Sequence, residues 1–473
     1  MLGMFLGALD QTIVSTAGPA IKQDLGIPAS LYAWLTTAYM VASTVLVPIY
    51  GKLSDLYGRK PVLLFGMSTF LVGSLACGLS TSYEMLFAAR AMQGLGSAAL
   101  FVIAFAVIAD IFPPAVRGKF TGIFGAVWGL ASVIGPFVGG LLTDHLSWHW
   151  VFFVNLPIGA LAIAFVVAKM PALGGGAKRR IDVAGALALV VAVVPLLLAL
   201  AMGAPVQGEG PGGGGGHWTD PAVLVMFAVA VLGSIGFFAI EQRAADPIVD
   251  FKLFATPIFR WGVFAVFVVV AAFFAGIVFL PLFMTNVVGV DATNAGFTLT
   301  PLTLGIVAGN IASGQLVTKL GRYKPLMLIS LAGLVGAYAI MAFTIGPGSG
   351  QLEVTLKMVL VGLSLGPSIP LFTLALQNGM PPHQVGMVTA SATFFRQIGG
   401  TIGISVFGTV FATKLSHGMA AAYAGPRAGI GDGVKLAFSD ATVAVFLVGV
   451  GVAAAGFLIT LKVPELPLRT SNR

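Results

Sequence analysis

Charge is scarce in this sequence. Only 9% of its 473 residues are Asp, Glu, Lys or Arg, against about 25% in water-soluble domains. A chain this poor in charge cannot clothe a globular surface, which excludes a soluble enzyme, a disordered tail and a nucleic-acid module. The single cysteine, Cys77, lies inside an apolar run, so neither a disulfide framework nor a thiolate metal site is available. His145 and His149 are four residues apart beside Asp144, but they fall in a short loop between apolar stretches and no metal site is expected there. No G-x-x-x-x-G-K-[ST] occurs, which removes ATP bound by a P-loop as an energy source. Paired carboxylates and a nucleophile triad are missing from the apolar stretches, and the chain is not read as an enzyme.

What is present is apolar mass: 58% hydrophobic residues and a mean hydropathy of +0.99. A helix crossing the hydrocarbon core needs about 20 mostly apolar residues. Fourteen such stretches run from 1–21 to 440–462, so the chain reads as an all-α polytopic membrane protein. The 62 glycines suit that reading, because small residues let membrane helices approach closely. The first stretch has almost nothing before it, which predicts an upstream start or a shortened N-terminus. It does not read as a signal peptide, since a charged n-region is missing and Asp10 interrupts it. If the first span enters from the cytoplasm, 18 Lys and Arg fall in inner loops and the tail, and five in outer loops, with Arg90 and Arg396 inside spans. By the positive-inside rule this places both termini in the cytoplasm, and it accounts for the net charge of +8 without nucleic acid.

Two inner loops repeat one pattern. Gly51–Pro61 and Gly314–Pro325 share Gly-x-Leu, then Gly-Arg seven residues after the first glycine, then a basic residue and proline. Their offset is 263 residues. Six spans end near residue 170, so a plain tandem of six-helix halves leaves about 93 residues over, enough for two more spans. The expected division is 1–170 for the first half, 171–259 for a linker with two extra helices, and 260–473 for the second half and a short cytoplasmic tail. Parallel halves related by an axis along the membrane normal are a transporter design, with the substrate site between them near mid-bilayer. The Gly208–Gly216 run accidentally holds G-x-G-x-x-G, but no strand precedes it and it reads as an outer linker.

Several motifs resemble those of the major facilitator superfamily, within it the fourteen-helix drug:proton antiporters. The Gly51–Pro61 loop is similar to the signature loop, with Asp55 as its acidic residue. Span 4 carries Leu86-x-x-x-Arg90-x-x-Gln93-Gly94-x-Gly96, similar to the motif whose arginine is implicated in proton transfer. Gly135-Pro136-Phe137-Val138-Gly139-Gly140 resembles the antiporter motif of span 5. Leu9–Val14 with Ala17-Gly18-Pro19 resembles the branch's first-span motif. Trp148-His149-Trp150 through Asn155, Pro157 and Gly159 resembles its entry to span 6. Thr285, after Leu280-Pro281, stands where glutamine is expected. The resemblance implies a multidrug efflux protein of the bacterial cytoplasmic membrane, associated with antibiotic resistance. Such a protein is monomeric, uses no cofactor, draws on the proton gradient, and takes small amphipathic compounds. An exporter of a lipid, peptide or metabolite, or a membrane scaffold, are the other readings.

The residues themselves suggest roles. Asp10 is the carboxylate within a span; such a charge costs about 3 kcal/mol at the bilayer centre and should face a cavity or a partner. It reads as a proton carrier that a cationic substrate displaces, or as a structural ion pair. Arg90 governs its protonation or is a fixed donor, and it either snorkels to the interface or is buried. Gln93, one turn on, shares its partners. Asp55, Arg59 and Lys60, with Gly51 and Gly58, sit at an inner helix end with Asp110; they form a conformational gate or a solvated loop. Gly135, Pro136, Gly139 and Gly140 permit a close, bent crossing. Asp10, Gln93, Phe279, Met284 and Arg396 are the residues expected at the substrate cavity, Arg396 toward substrate, gate residues or carbonyls.

Overall fold

The computed structural model describes residues 1–28, 31–173, 181–203, 218–290, 300–381, 384–424 and 430–469. Among them regular structure is helical and no strand occurs. Both the Gly208–Gly216 run and part of the 171–259 linker lie outside the described residues.

The first half contains α1 (Leu2–Asp24), α2 (Trp34–Tyr57), α3 (Arg59–Gly78), α4 (Tyr83–Ile111) and α5 (Pro114–His145), then a rod broken at Val154 into α6 (Trp150–Phe153) and α7 (Asn155–Lys169). Next come α8 (Val183–Gly203) and α9 (Pro221–Glu241). The second half contains α10 (Pro257–Phe283), α11 (Thr300–Leu320), α12 (Lys324–Thr344), a rod broken into α13 (Gln351–Leu365) and α14 (Ser368–Asn378), then α15 (Val385–Ala424) and α16 (Ile430–Leu461). Helix starts follow local chemistry. Pro114, Pro221 and Pro257 open their helices, where a missing N–H costs nothing. Asp220 caps α9 by accepting from Ala222 N at 3.0 Å.

Among the described residues twelve helical spans are long and apolar enough to cross a membrane; the sequence suggested fourteen. The other two rods, α1 and α11, have the length but a more polar composition. The reason is their place: α1 carries Asp10 and Gln11 and α11 carries Asn310, all turned to the interior.

The repeat is visible in the backbone. Gly58 joins α2 to α3 at φ 94°, and Gly321 lies between α11 and α12 at φ 66°. Both occupy the left-handed region that side chains avoid, at corresponding positions of the two basic loops.

The halves meet along two seams, α5 against α11 and α2 against α15. These pairings exchange under the repeat, so the interface is pseudo-symmetric. The α8–α9 hairpin breaks that symmetry by packing on α2 and α15. Ser405 donates to Leu200 O at 3.2 Å and Trp218 Nε1 to Thr409 Oγ1 at 3.1 Å. Exposed Leu224, Val225, Leu232 and Phe343 fit the lipid-facing side of such a bundle.

Candidate functional site

Three features make up the candidate site. The first is a buried polar network inside the first half. Asp10 of α1 accepts from Arg90 Nη1 through Oδ2 at 2.8 Å. Its Oδ1 accepts from Gln93 Nε2 at 2.7 Å and from Asn155 Nδ2 at 2.9 Å. Gln93 and Asn155 both also donate to Ser74 Oγ, at 3.1 and 3.0 Å. Arg90 Nη1 donates to Gln93 Oε1 at 2.6 Å and its Nε to Leu35 O at 3.1 Å. Asp10, Arg90, Gln93 and Asn155 are all 0% exposed. Arg90 is therefore buried rather than snorkelled: Asp10, Gln93 Oε1 and the Leu35 carbonyl take its Nη1 and Nε, while its Nη2 has no hydrogen-bond partner among the described residues. A charge pair so enclosed is costly unless its remaining valences are filled, and the amides fill those of the carboxylate.

The Arg90 guanidinium lies over the Tyr39 ring, 4.4 Å from its centroid, and Tyr39 donates to Ser97 Oγ. Tyr39 also forms part of the wall of the second feature, a cavity of about 180 Å³ between the halves. Six aromatic side chains line it: Tyr39, Phe101, Phe105, Trp128, Phe273 and Phe274. Gln11, Asn310, Gln397 and Arg396 are among its polar lining. One ring thus separates the ion pair from the cavity.

Of the five residues expected there from sequence, Arg396 lines the cavity. Asp10 and Gln93 lie behind Tyr39; Gln11, on the neighbouring face of α1, takes the lining position. Phe279 packs on Phe411 at 5.1 Å between centroids, and Met284 sits in a turn of π-helix ending α10. Both belong to the core of the second half, because their faces of α10 turn away from the interface that Val270, Phe273 and Phe274 address.

The third feature is a lock at the end of the bundle bearing the basic loops. Arg59 Nε donates to Asp110 Oδ2 at 2.8 Å and its Nη1 to Ser54 Oγ at 2.6 Å. It also pairs with Asp55. Lys60 donates to Val167 O and Met170 O, each at 2.9 Å, so it ties α3 to the end of α7 and not to the lock. The Asp55 carboxylate sits against Gly386, second residue of α15, where the positive end of the helix favours an anion. Gly51 meets Ala390 of the same helix. On the other seam Arg117 donates to Gln377 Oε1 of α14 at 3.2 Å. Both seams are closed at this end.

Asp55→Asn removes a charge–dipole contact worth about 0.3–1 kcal/mol. The closed arrangement should lose about two- to fivefold in population against the open one. Spin labels on exposed Tyr57 and Leu320, one in each half, read the distance; an unchanged distribution returns the loop to a topological role.

The antiporter-motif residues bear on the network through α1. A Cβ on Gly139 would stand 2.7 Å from Ile13 O, and Gly135 abuts Thr12. Pro136 lies inside α5, Thr12 Oγ1 donates to Ala131 O at 3.1 Å, and Gly140 has open space. The helix carrying Asp10 is thus held flush to α5. Among the described residues no group of three His, Cys, Asp or Glu is placed to hold a metal ion. Asn155, Ser74 and Tyr39 complete the network without having been singled out from sequence. Asn155 stands in the span-6 motif quoted above; nothing in the sequence marks the other two.

A family model described as "Major Facilitator Superfamily" matches residues 1–404. "Multidrug resistance protein 3" of Bacillus subtilis (strain 168) is 38% identical over 441 residues, covering 93% of this chain and 84% of that protein. "Multidrug transporter protein MdtP" of the same organism is 38% identical over 410 residues, covering 87% and 74%. The solved structure of the human organic anion transporter MFSD10 (TETRAN) superposes with a TM-score of 0.67 at 16% identity, covering 97% of each chain. That last likeness is one of fold alone.

Proposed function

The chain belongs to the Major Facilitator Superfamily, a family of multi-pass membrane transporters, and from this premise we propose that it is a proton-coupled antiporter exporting amphipathic, lipophilic compounds by alternating access. The observation that carries the reading is the fully buried Asp10 on three donors, one tyrosine ring away from a central cavity. Arg90, Gln93 and Asn155 hold the Asp10 carboxyl in one geometry, and Tyr39 packs on Arg90 between that group and the cavity. A ligand that moves Tyr39 also moves the donors of Asp10, so filling the cavity and exchanging the proton become linked events. The closed seams at the basic end then mark one extreme of the cycle, and breaking the Arg59 lock opens the other. The names of the two Bacillus relatives support the substrate class. The basic asymmetry of the loops supports cytoplasmic termini in a bacterial cell membrane. The working unit is the monomer, because the cavity lies within one chain.

The test is purified protein in liposomes with an imposed pH gradient and a fluorescent amphiphile. Accumulation should follow the gradient and collapse with a protonophore. Equal accumulation with and without the gradient sinks the proposal.

A further inference from the structure

The charge of the cavity indicates what it selects. Among the described residues that line it one carries a charge at neutral pH, Arg396 of α15, and none is acidic. Arg396 makes no ion pair or hydrogen bond among the described residues. Its neighbour across the cavity is the Phe105 ring, with the guanidinium 5.9 Å from the centroid. The acidic groups of the network and the lock are committed elsewhere: Asp10 to Arg90, and Asp55 and Asp110 to Arg59. The Asp10–Arg90 pair stands behind Tyr39. A cation entering the cavity would meet Arg396 without a carboxylate to offset it, at low dielectric where repulsion between like charges is strong.

An unpaired guanidinium in an aromatic chamber has the opposite preference. Its planar fork matches a carboxylate in a bidentate pair, and the six surrounding rings offer faces for stacking. The amide oxygens of Asn310 and Gln397, both on the lining, are buried without a partner among the described residues. They suit a ligand that also carries an O–H or N–H donor. We infer that the cavity takes aromatic organic anions, and zwitterions whose carboxylate reaches Arg396, in preference to cations. Arg396 is then the residue that sets charge selectivity. The inference rests on the transport reading above and replaces the cationic substrate expected from Asp10 alone.

The consequence for coupling is electrical. One anion moving out against one proton moving in carries two positive charges inward, so an inside-negative potential drives the exchange along with the pH gradient. Exchange of a monovalent cation for a proton carries none.

The test uses three probes of nearly one shape: 2-naphthoate, its methyl ester, and 2-naphthyltrimethylammonium, titrated into the purified protein in nanodiscs. Wild type should bind naphthoate about tenfold or more tighter than the cation, with the ester between them; a charge-assisted pair is worth about that much or more. Arg396→Gln should lower naphthoate affinity to that of the ester and leave the ester unchanged. Arg396→Lys, which keeps the charge and loses the fork, should retain most of the anion preference. Cation binding equal to or tighter than naphthoate in wild type overturns the inference, and needs no variant to be seen. Unchanged naphthoate affinity in Arg396→Gln also overturns it. The same liposomes separate the two proposals. Anion-selective binding without gradient-driven flux leaves this inference standing and removes the antiporter. Gradient-driven flux of the cation with no anion binding does the reverse.

Discussion

Asp10→Asn is expected to reduce gradient-driven export to background and to abolish the substrate-induced proton release that the proposed antiport requires of the purified protein. The argument is local. Asp10 is the carboxylate of the buried network, held by Arg90, Gln93 and Asn155. Asparagine keeps the shape, retains an acceptor for one amide, and cannot titrate. It also leaves Arg90 as a buried charge without its counter-ion, which costs about 3–5 kcal/mol, so lower stability alone would not identify the role. A second variant separates the two effects. Asp10→Asn with Arg90→Gln removes both charges, and replacing a buried pair by neutral groups is often close to neutral in stability. The double variant should therefore recover most of the melting temperature lost by the single one while remaining uncoupled. Downhill flux of substrate should survive in it, because the cavity wall and its apolar contacts are untouched. Proton release persisting in Asp10→Asn, with uphill export intact, would assign coupling to another carboxyl. Asp110 is the next candidate, although its pairing with Arg59 at a helix end makes it the weaker one.

The sequence disclosed the parts of this molecule that are set by one-dimensional pattern. Apolar runs of spanning length, the Gly-Arg repeat at an offset of 263 and the isolated charges Asp10, Arg90 and Arg396 are all legible without coordinates. The Asp10–Arg90 pairing and the Arg59–Asp110 lock are what burial of charge demands, since each needs an opposite neighbour. The rotation of each helix was not legible. In helices apolar all round, the hydrophobic period that tells a cavity face from a core face is weak. Phe279 and Met284 look as suited to a cavity as Phe273 and Phe274, five to eleven positions away, yet α10 and the turn that ends it place the first pair in the core. The same ambiguity hid Tyr39 and Ser74. In α1 and α11 polarity lowers the membrane signal itself, because their inward faces serve the interface between halves.

The second large effect is expected from Gly314→Val, on the α5–α11 seam. A Cβ at Gly314 would stand 2.5 Å from the carbonyl oxygen of Gly118 and 3.2 Å from its carbon. Those are backbone atoms, so no rotamer change relieves the clash. The helices must separate at the basic end, and overpacking of this kind costs about 1–3 kcal/mol. In alternating access the closed state alone bears that cost, since the open one parts the seam. The closed-to-open ratio should fall by about five- to 150-fold, following the conversion of about 1.4 kcal/mol per factor of ten. The cost falls on the interface and spares the core of each half, so folding should persist. The control is Gly336→Val in α12, where a Cβ meets nothing within 4 Å; it makes the same change in helix propensity with no seam to disturb. Spin labels at Tyr57 and Leu320 should report a longer distance in Gly314→Val and the wild-type distance in Gly336→Val. Turnover should drop in the first variant alone, because a transporter that cannot close at one end stalls before release at the other. Wild-type distances in Gly314→Val would mean that the seam yields without opening, and closure would then depend on the Asp55–α15 contact and the Arg117–Gln377 bond. Asp55→Asn would in that case shift the same distance by more than the two- to fivefold change in population argued for it above.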